Sequence, residues 1–149
     1  MATLQTFHKI LDIHERDKKA AQKQYQQSVE TFEQIATKLY ETLKKKENAE
    51  AFLEQKLRIG SLPAQYIAHY RDFLNRLDLE VKTLQPKVQQ ARSDMTWQHS
   101  LLSEAHIEVK KYENLIDRKV KRWEEQQRLE ENKEMDALSI RQFSAQGNR

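Results

Sequence analysis

The stretch "LRIGSLPAQY" at residues 57–66 contains one of only two glycines and one of only two prolines in 149 residues. Gly60 can adopt the left-handed conformation that ends a helix, and Ser61 is a favourable residue type for an N-cap. Pro63 is tolerated in a first helical turn because the N–H that it lacks would have no partner there. The stretch therefore predicts the end of one helix and the start of another.

The remaining composition favours long helices over a thick globular core. The chain is 38% hydrophobic and 33% charged, with a mean hydropathy of −0.95, which is typical of long helices and coiled coils. Cysteine is absent, so the sequence offers no disulfide framework and no thiolate metal site. The N-terminus does not resemble a signal peptide, and no run of about 18 apolar residues occurs. We expect a cytoplasmic protein that does not insert into a membrane.

A heptad pattern follows the stretch and continues through most of the chain. Apolar residues advance by alternating steps of three and four over about eight heptads, as in a coiled-coil seam. The positions are Ile67, Tyr70, Leu74, Leu77, Val81, Leu84, Val88, Ala91, Met95, Gln98, Leu102, Ala105, Val109, Tyr112, Ile116, Lys119 and Trp123. Only Gln98 and Lys119 are polar, and so narrow a stripe predicts packing against one or two helices.

The chain before the stretch has a weaker form of this pattern, with lapses at Lys46 and Glu50. The predicted seam positions are Tyr25, Val29, Phe32, Ala36, Leu39, Leu43, Leu53 and Leu57. A separate N-terminal apolar cluster, Leu4, Phe7, Ile10, Leu11 and Ile13, is divided from them by the polar run "HERDKKAAQKQ". The first helix is therefore well specified near both ends and weakly specified between them.

Two long helices joined by a few residues most simply fold back on each other. With the turn centred near residue 61, Leu53 faces the region of Tyr70 and Phe32 faces Ala91, at about one helical rise per residue. Gln24 then faces Gln98, so the polar lapses of the two seams coincide. We predict an all-α fold, an antiparallel two-helix coiled-coil hairpin that is a monomer; a parallel dimer of extended chains is the alternative.

The boundaries follow from the same signals. Residues 1–149 form one coiled-coil domain, with helix one at about 4–58, the turn at about 59–62, helix two at about 63–142 and a disordered tail at 144–149. Pro86 lies on the outward side of the heptad pattern, so we predict a kink in a continuous helix; a true break giving three helices is the alternative. Helix two overhangs helix one at the C-terminal end, from about residue 119.

The sequence carries no recognisable catalytic or cofactor-binding motif. It has no Gly-rich phosphate loop and no HExxH motif, and the histidine spacings do not suit two metal ligands on one helix face. Basic residues at 44–46 and 118–122 are interspersed with acids, which favours solvated helix faces over a nucleic-acid stripe. The seam is also too narrow for a membrane-surface helix. We therefore predict an interaction protein without enzyme activity, cofactor or metal.

Three segments in order resemble the FliJ family, the small soluble component of the bacterial flagellar type III export apparatus, in a Bacillus-like form. They are "FHKILDIHERDKKAAQKQYQQSVETFE" near the N-terminus, "GSLPAQYIAHYRDFLNRLD" around the turn, and "EMDALSIRQF" near the C-terminus. The resemblance covers nearly the whole chain. It implies an antiparallel coiled coil similar to the central stalk of rotary ATP synthases, at the inner face of the cell membrane at the flagellar base.

The resemblance also implies partners. Family members associate with the hexameric export ATPase and promote its ring assembly and activity, contact the cytoplasmic part of the export gate membrane protein, and cycle export chaperones. Phe73 and Leu77 match the motif of the gate-contacting surface near the hairpin tip, with Tyr70 beside them, and Phe73, off the seam, is the best exposed contact. The overhang, with Trp123, Leu129, Met135 and Phe143, would enter the ATPase ring. A nucleic-acid-binding or generic adaptor coiled coil is the alternative function.

Overall fold

The computed structural model describes residues 2–60 and 62–147, which form two α-helices, α1 (Ala2–Ile59) and α2 (Ala64–Gly147). The helices pack against each other as a hairpin whose second helix is longer, and the described residues contain no strand. The predicted all-α hairpin is confirmed. The chain divides into two compact units, Lys19–Ser103 and the pair Met1–Lys18 with Glu104–Arg149.

Gly60 ends α1 in the predicted way. Its φ is 70°, the left-handed conformation that only glycine adopts at low cost. Its N–H donates to the carbonyl oxygens of Lys56 at 3.1 Å and Leu57 at 3.3 Å, which gives partners to carbonyls that the helix end would otherwise leave free. Lys56 and Arg58 in the last turn also complement the negative end of the helix dipole.

Pro63 begins α2 differently from the prediction. The amides of Tyr66 and Ile67 donate to the Pro63 carbonyl at 3.0 and 3.3 Å, and the first helical residue is Ala64. Pro63 therefore occupies the N-cap position and not the first helical turn, because its carbonyl accepts the first intrahelical bond. The predicted N-cap, Ser61, lies outside the described residues.

Helix α2 is longer than the sequence suggested. It continues through the exposed Pro86, so the alternative of three helices is wrong; the kink remains a prediction. The helix reaches Gly147, so residues 144–147 are helical where a disordered tail was predicted, and 148–149 lie outside the described residues. The physical reason is that the segment after residue 136 contains no proline and no glycine before Gly147.

The predicted seam of α2 is confirmed with one exception. In Lys19–Ser103 its most buried positions are Leu77, Val81, Leu84, Val88 and Ala91, and in the other unit they are Val109 and Ile116. The other predicted positions through Lys119 are half-buried. Trp123, the last one, is 44% exposed.

The predicted seam of α1 is confirmed at Tyr25, Phe32, Leu39 and Leu53 but wrong at every second position after Leu39. Leu43, Glu50 and Leu57 are exposed, and the preceding residue in each case lies in the seam instead. The observed positions in Lys19–Ser103 are Ala21, Tyr25, Ser28, Phe32, Ile35, Leu39, Thr42, Lys46, Ala49, Leu53 and Lys56. They keep an unbroken spacing of three and four residues. Several of them are not apolar types, because small residues and the methylene stems of lysines can also cover the seam.

The N-terminal apolar cluster is confirmed for four of its members. In the unit that contains it, Leu4, Phe7, Ile10 and Leu11 are half-buried. Ile13 is 56% exposed, because the seam passes through His14 instead. The His14 ring stacks on Tyr112 with ring centroids 4.9 Å apart, and Phe7 lies 6.4 Å from the same tyrosine.

Contacts between the helices confirm the antiparallel register. In Lys19–Ser103, Phe52 meets Tyr70 with centroids 5.1 Å apart, and Tyr25 meets His99 at 5.4 Å. The Arg92 guanidinium lies 5.7 Å from the Phe32 ring. Each of these contacts lies within one residue, on either helix, of a predicted pair; the predicted pairs are Leu53 with Tyr70, Gln24 with Gln98, and Phe32 with Ala91. Neither helix, in its described part, contains a segment long and apolar enough to span a membrane.

Candidate partner-binding surfaces

A group of aromatic side chains lies on one side of the hairpin next to the turn. Tyr66, Tyr70 and Phe73 are spaced by four and three residues, so they share a face of α2. Phe52 of α1 packs against Tyr70, which places it on the same side. Phe52, Tyr66 and Phe73 are 38%, 55% and 39% exposed. We call Phe52, Tyr66, Tyr70 and Phe73 the aromatic face.

The three residues matched to a gate contact occupy different environments. Phe73 is exposed on the aromatic face, as expected. Tyr70 is half-buried under Phe52 and offers only part of its ring. Leu77 is 6% exposed, so it packs inside the hairpin and cannot touch a partner while the helices stay paired.

Two residues of the aromatic face, Phe52 and Tyr66, were not predicted from the sequence. Phe52 immediately precedes the seam position Leu53, and Tyr66 precedes Ile67, so both occupy the position beside the seam. Phe73 holds the same position one heptad after Tyr66. Large apolar residues beside the seam, on both helices and close to the turn, were the signal that could have identified this surface.

The opposite side of the same region carries paired charges. The Lys46 ammonium lies 3.0 Å from one carboxylate oxygen of Asp78, and Lys82 lies 3.2 Å from the other. Glu50 is 3.9 Å from Lys46. The described residues contain no buried side-chain polar atom without a hydrogen-bond partner. Asp78 therefore pairs with a lysine from each helix on this side.

The pKa values in this network move in opposite directions. The hydrogen bonds from Lys46 and then Lys82, together with their positive charges, lower the pKa of Asp78 below its ordinary value. The hydrogen bond to Asp78 and its negative charge raise the pKa of Lys46. Both shifts favour the charged forms, so the ion pair is complete at neutral pH.

The first turn of α1 reaches Trp123, which corrects the predicted start of the overhang. Trp123 lines a shallow concavity with residues of both helices, and the Lys119 ammonium lies 5.0 Å from the Phe7 ring. The lining is Thr3, Leu4, Lys119, Arg122, Trp123 and Gln126. Lys119 and Trp123 therefore have intramolecular neighbours, because α1 begins beside them.

The part of α2 after Trp123 is not covered by α1, apart from Gln126 in the lining of that concavity. Every residue from 124 to 147 is exposed, and we call this range the unpaired segment. Leu129, Met135 and Phe143 are 50%, 67% and 78% exposed. Because these side chains are exposed, they are available to another protein. Binding would also supply the tertiary packing from which most helices gain their stability.

The basic residues that could suggest nucleic acid do not gather on one face. Lys44, Lys45 and Lys46 are consecutive in α1 and so point in three directions, and Lys46 is paired with Asp78. In the other unit Lys121 pairs with Asp117. Within the described part of the chain, no group of three or more His, Asp or Glu residues is arranged to hold a metal ion.

Comparison with known proteins gives one consistent result. A family model described as "Flagellar FliJ protein" matches residues 3–148. The "Flagellar FliJ protein" of Bacillus subtilis (strain 168) is 39% identical over 142 residues, which cover 95% of this chain and 96% of that protein. No solved structure matches the chain significantly.

Proposed function

The chain belongs to the FliJ family of flagellar proteins and so has a role in flagellar protein export; we propose that it acts there by binding other proteins, without catalysis. It promotes assembly and activity of the export ATPase ring, contacts the cytoplasmic part of the export gate, and cycles export chaperones. It works as a cytoplasmic monomer that associates with the inner face of the membrane at the flagellar base.

One observation carries this proposal: each of the two units presents its own exposed apolar surface. Lys19–Ser103 contains the aromatic face, and the other unit contains the unpaired segment. The aromatic face is a cluster of exposed apolar side chains, which marks interaction sites in soluble proteins. The unpaired segment is a helix whose described residues are all exposed. A protein with two such surfaces can bind two partners.

We assign the aromatic face to the export gate. Phe73 supplies the principal contact, and Phe52 and Tyr66 extend it. Large aromatic side chains of this kind dominate protein interfaces because each contributes a large rigid contact area. Leu77 and Tyr70 support Phe73 from within the hairpin, since they lie beside it on α2.

We assign the unpaired segment and Trp123 to the export ATPase. Leu129, Met135 and Phe143 would be buried in the ATPase ring, so the ring would supply the packing that α1 does not. Stimulation should then be strongest where the ATPase is too dilute to assemble by itself, because a ligand that binds only the assembled form shifts the equilibrium toward it.

The ATPase assignment is tested by measuring ATP hydrolysis by the same organism's export ATPase over a range of ATPase concentrations. The wild-type chain should stimulate most at low concentration. The double variant Met135→Ala and Phe143→Ala should lose most of this stimulation, whereas Leu79→Ala, which removes a 63% exposed side chain of Lys19–Ser103, should keep it. No stimulation by a folded, helical wild-type chain at any concentration would refute the assignment.

The gate assignment is tested by binding to the purified cytoplasmic part of the export gate. Phe73→Ala should weaken binding about tenfold or more, in line with loss of an aromatic hot-spot residue. Its helicity should stay near that of the wild type, and Leu79→Ala is again the matched control. A large loss of helicity would instead make Phe73 a structural residue.

A further inference from the structure

Three positive charges surround the aromatic face. The Lys56 ammonium lies 5.6 Å from the centroid of the Phe52 ring. Lys45 precedes Phe52 by two helical turns on the same side of α1, and Arg76 follows Phe73 by one turn on α2. In the described part of the chain none of the three has a carboxylate within 4.0 Å.

These free cations contrast with the opposite side of the same hairpin region. There Asp78 binds both Lys46 and Lys82, and Glu50 adds a second acid. On the aromatic side the acid beside the seam is Glu80, two turns beyond Phe73, and it forms no ion pair. The two sides therefore differ in charge pairing. On the opposite side Asp78 pairs with Lys46 and Lys82, although Arg71 there has no ion pair among the described residues, whereas on the aromatic side none of the three cations is paired.

We propose that the aromatic face binds an acidic amphipathic segment of a partner protein. The apolar side chains of that segment would cover Phe52 and Phe73, and its Asp or Glu side chains would pair with Arg76, Lys45 and Lys56. Protein interfaces combine an apolar centre with a polar rim, and complementary charges in the rim set specificity and association rate. The planar guanidinium of Arg76 suits a two-point hydrogen bond to a carboxylate.

The inference rests on the proposed function in taking the aromatic face as a binding surface, and it adds the chemistry of the segment that binds there. An anionic membrane could also attract cations beside aromatic rings. The geometry favours a protein segment, because the apolar area comes from only four side chains. A membrane-surface helix needs a broad apolar face along its length.

The first experiment compares Arg76→Glu with Arg71→Glu in binding to the cytoplasmic part of the export gate. Both changes replace an exposed arginine of α2, but Arg71 lies two turns before Asp78 and so on the opposite side of the hairpin. Arg76→Glu should weaken binding about tenfold, and Arg71→Glu should not. Raising the salt concentration should weaken wild-type binding and leave Arg76→Glu less affected.

The second experiment tests the acidic chemistry with designed peptides, so its result does not depend on the gate being the partner. Two designed helical peptides share one apolar face, and their remaining positions carry Glu in one and Lys in the other. The Glu peptide should bind the wild-type chain more tightly than the Lys peptide and should shift the ring proton resonances of Phe73 and Tyr66. If the two bind equally, or the Lys peptide binds more tightly, the inference is wrong.

The outcomes separate the inference from the proposed function. If Phe73→Ala weakens gate binding but Arg76→Glu and salt do not, the surface is correct and the acidic chemistry is wrong. If the gate does not bind but the Glu peptide does, the gate assignment fails and the inference stands. If the wild-type chain sediments with anionic phosphatidylserine vesicles and Arg76→Glu does not, the surface binds membrane and the inference is overturned.

Discussion

The two helices of Lys19–Ser103 build one seam from different kinds of residue. Helix α2 contributes a nearly continuous apolar strip centred on Val81 and Leu84, whereas α1 places Thr42, Lys46 and Ala49 in the matching positions. A coiled-coil seam therefore does not need apolar residues on both helices at every level. In this central part of the seam, the apolar strip of α2 is covered by small side chains and by the methylene stem of a charged one.

The largest expected effect is the loss of a central α2 side chain. Leu84 is 5% exposed, and Leu84→Ala should lower the free energy of unfolding by about 2–3 kcal/mol, at the lower end of the range for buried leucines because a two-helix seam is thin. Thermal unfolding followed by circular dichroism would measure it. The control is Leu79→Ala, which changes an exposed leucine of the same helix. If Leu79→Ala lowered the free energy of unfolding as much as Leu84→Ala, burial at Leu84 would not explain the effect.

A smaller effect is expected from a charge placed in the weaker strip. Ala49 is 8% exposed, and Ala49→Glu should cost about 1–2 kcal/mol in a partly wet seam, because a carboxylate there loses water without gaining a partner. The neighbouring Glu50 is exposed, so Glu50→Ala should change the unfolding free energy by less than about 0.5 kcal/mol. If instead Glu50→Ala stabilised the hairpin strongly, the seam would pass through residue 50.

The α1 strip should also be improvable. Thr42 is 4% exposed, and its hydroxyl donates to the Lys38 carbonyl at 2.8 Å. Thr42→Val keeps the shape of the side chain and leaves no polar group unpaired, because that carbonyl still accepts its helical bond. The free energy of unfolding should rise by about 0.5–1 kcal/mol. Denaturant titration would measure the change, and a decrease would show that the hydroxyl bond contributes more than apolar burial.

The same contrast explains what the sequence could predict of the fold. The α2 seam was found position by position because its burial coincides with apolar residue types. The turn was found because Gly60 has a conformational property that no other residue shares. The α1 seam was misplaced at Thr42 and Ala49, because the neighbouring Leu43 is more apolar and single-helix patterns cannot show which of two adjacent positions faces the partner helix.

The candidate surfaces were predictable to a lesser degree. Phe73 was identified as an exposed contact, and the exposed residues Leu129, Met135 and Phe143 were placed in the overhang. Phe52 was not predicted because an aromatic residue type alone does not show whether its position lies within a seam or beside it. Its pairing with Tyr70 depends on the register between two helices, which emerges only when the hairpin is formed.

The smallest expected effect comes from the ion pair that Lys46, a charged residue of the α1 strip, forms with Asp78. The pKa of Asp78 is lowered by its hydrogen bonds from Lys46 and Lys82, so its contribution to stability is complete above the ordinary carboxyl pKa of about 3.9 and is lost as the pH falls through the lower folded-state value. Lys46, whose pKa is raised, keeps its contribution until the pH rises past about 10.4. The pair is therefore weakened only at the two extremes of pH.

Asp78→Asn tests this contribution because the amide cannot ionise. The melting temperature of the wild type should fall slightly more than that of Asp78→Asn between neutral pH and about pH 2.5, and high salt should reduce the difference, since Asp78 is 39% exposed and its pairs are screened. Glu47, an exposed acid of α1 with no ion pair among the described residues, provides the control Glu47→Gln. If the melting temperatures of the wild type and Asp78→Asn fell equally with pH, the ion pair would contribute no stability. Lys46 would then hold its seam position through its methylene stem alone, packed against the apolar side chains of α2.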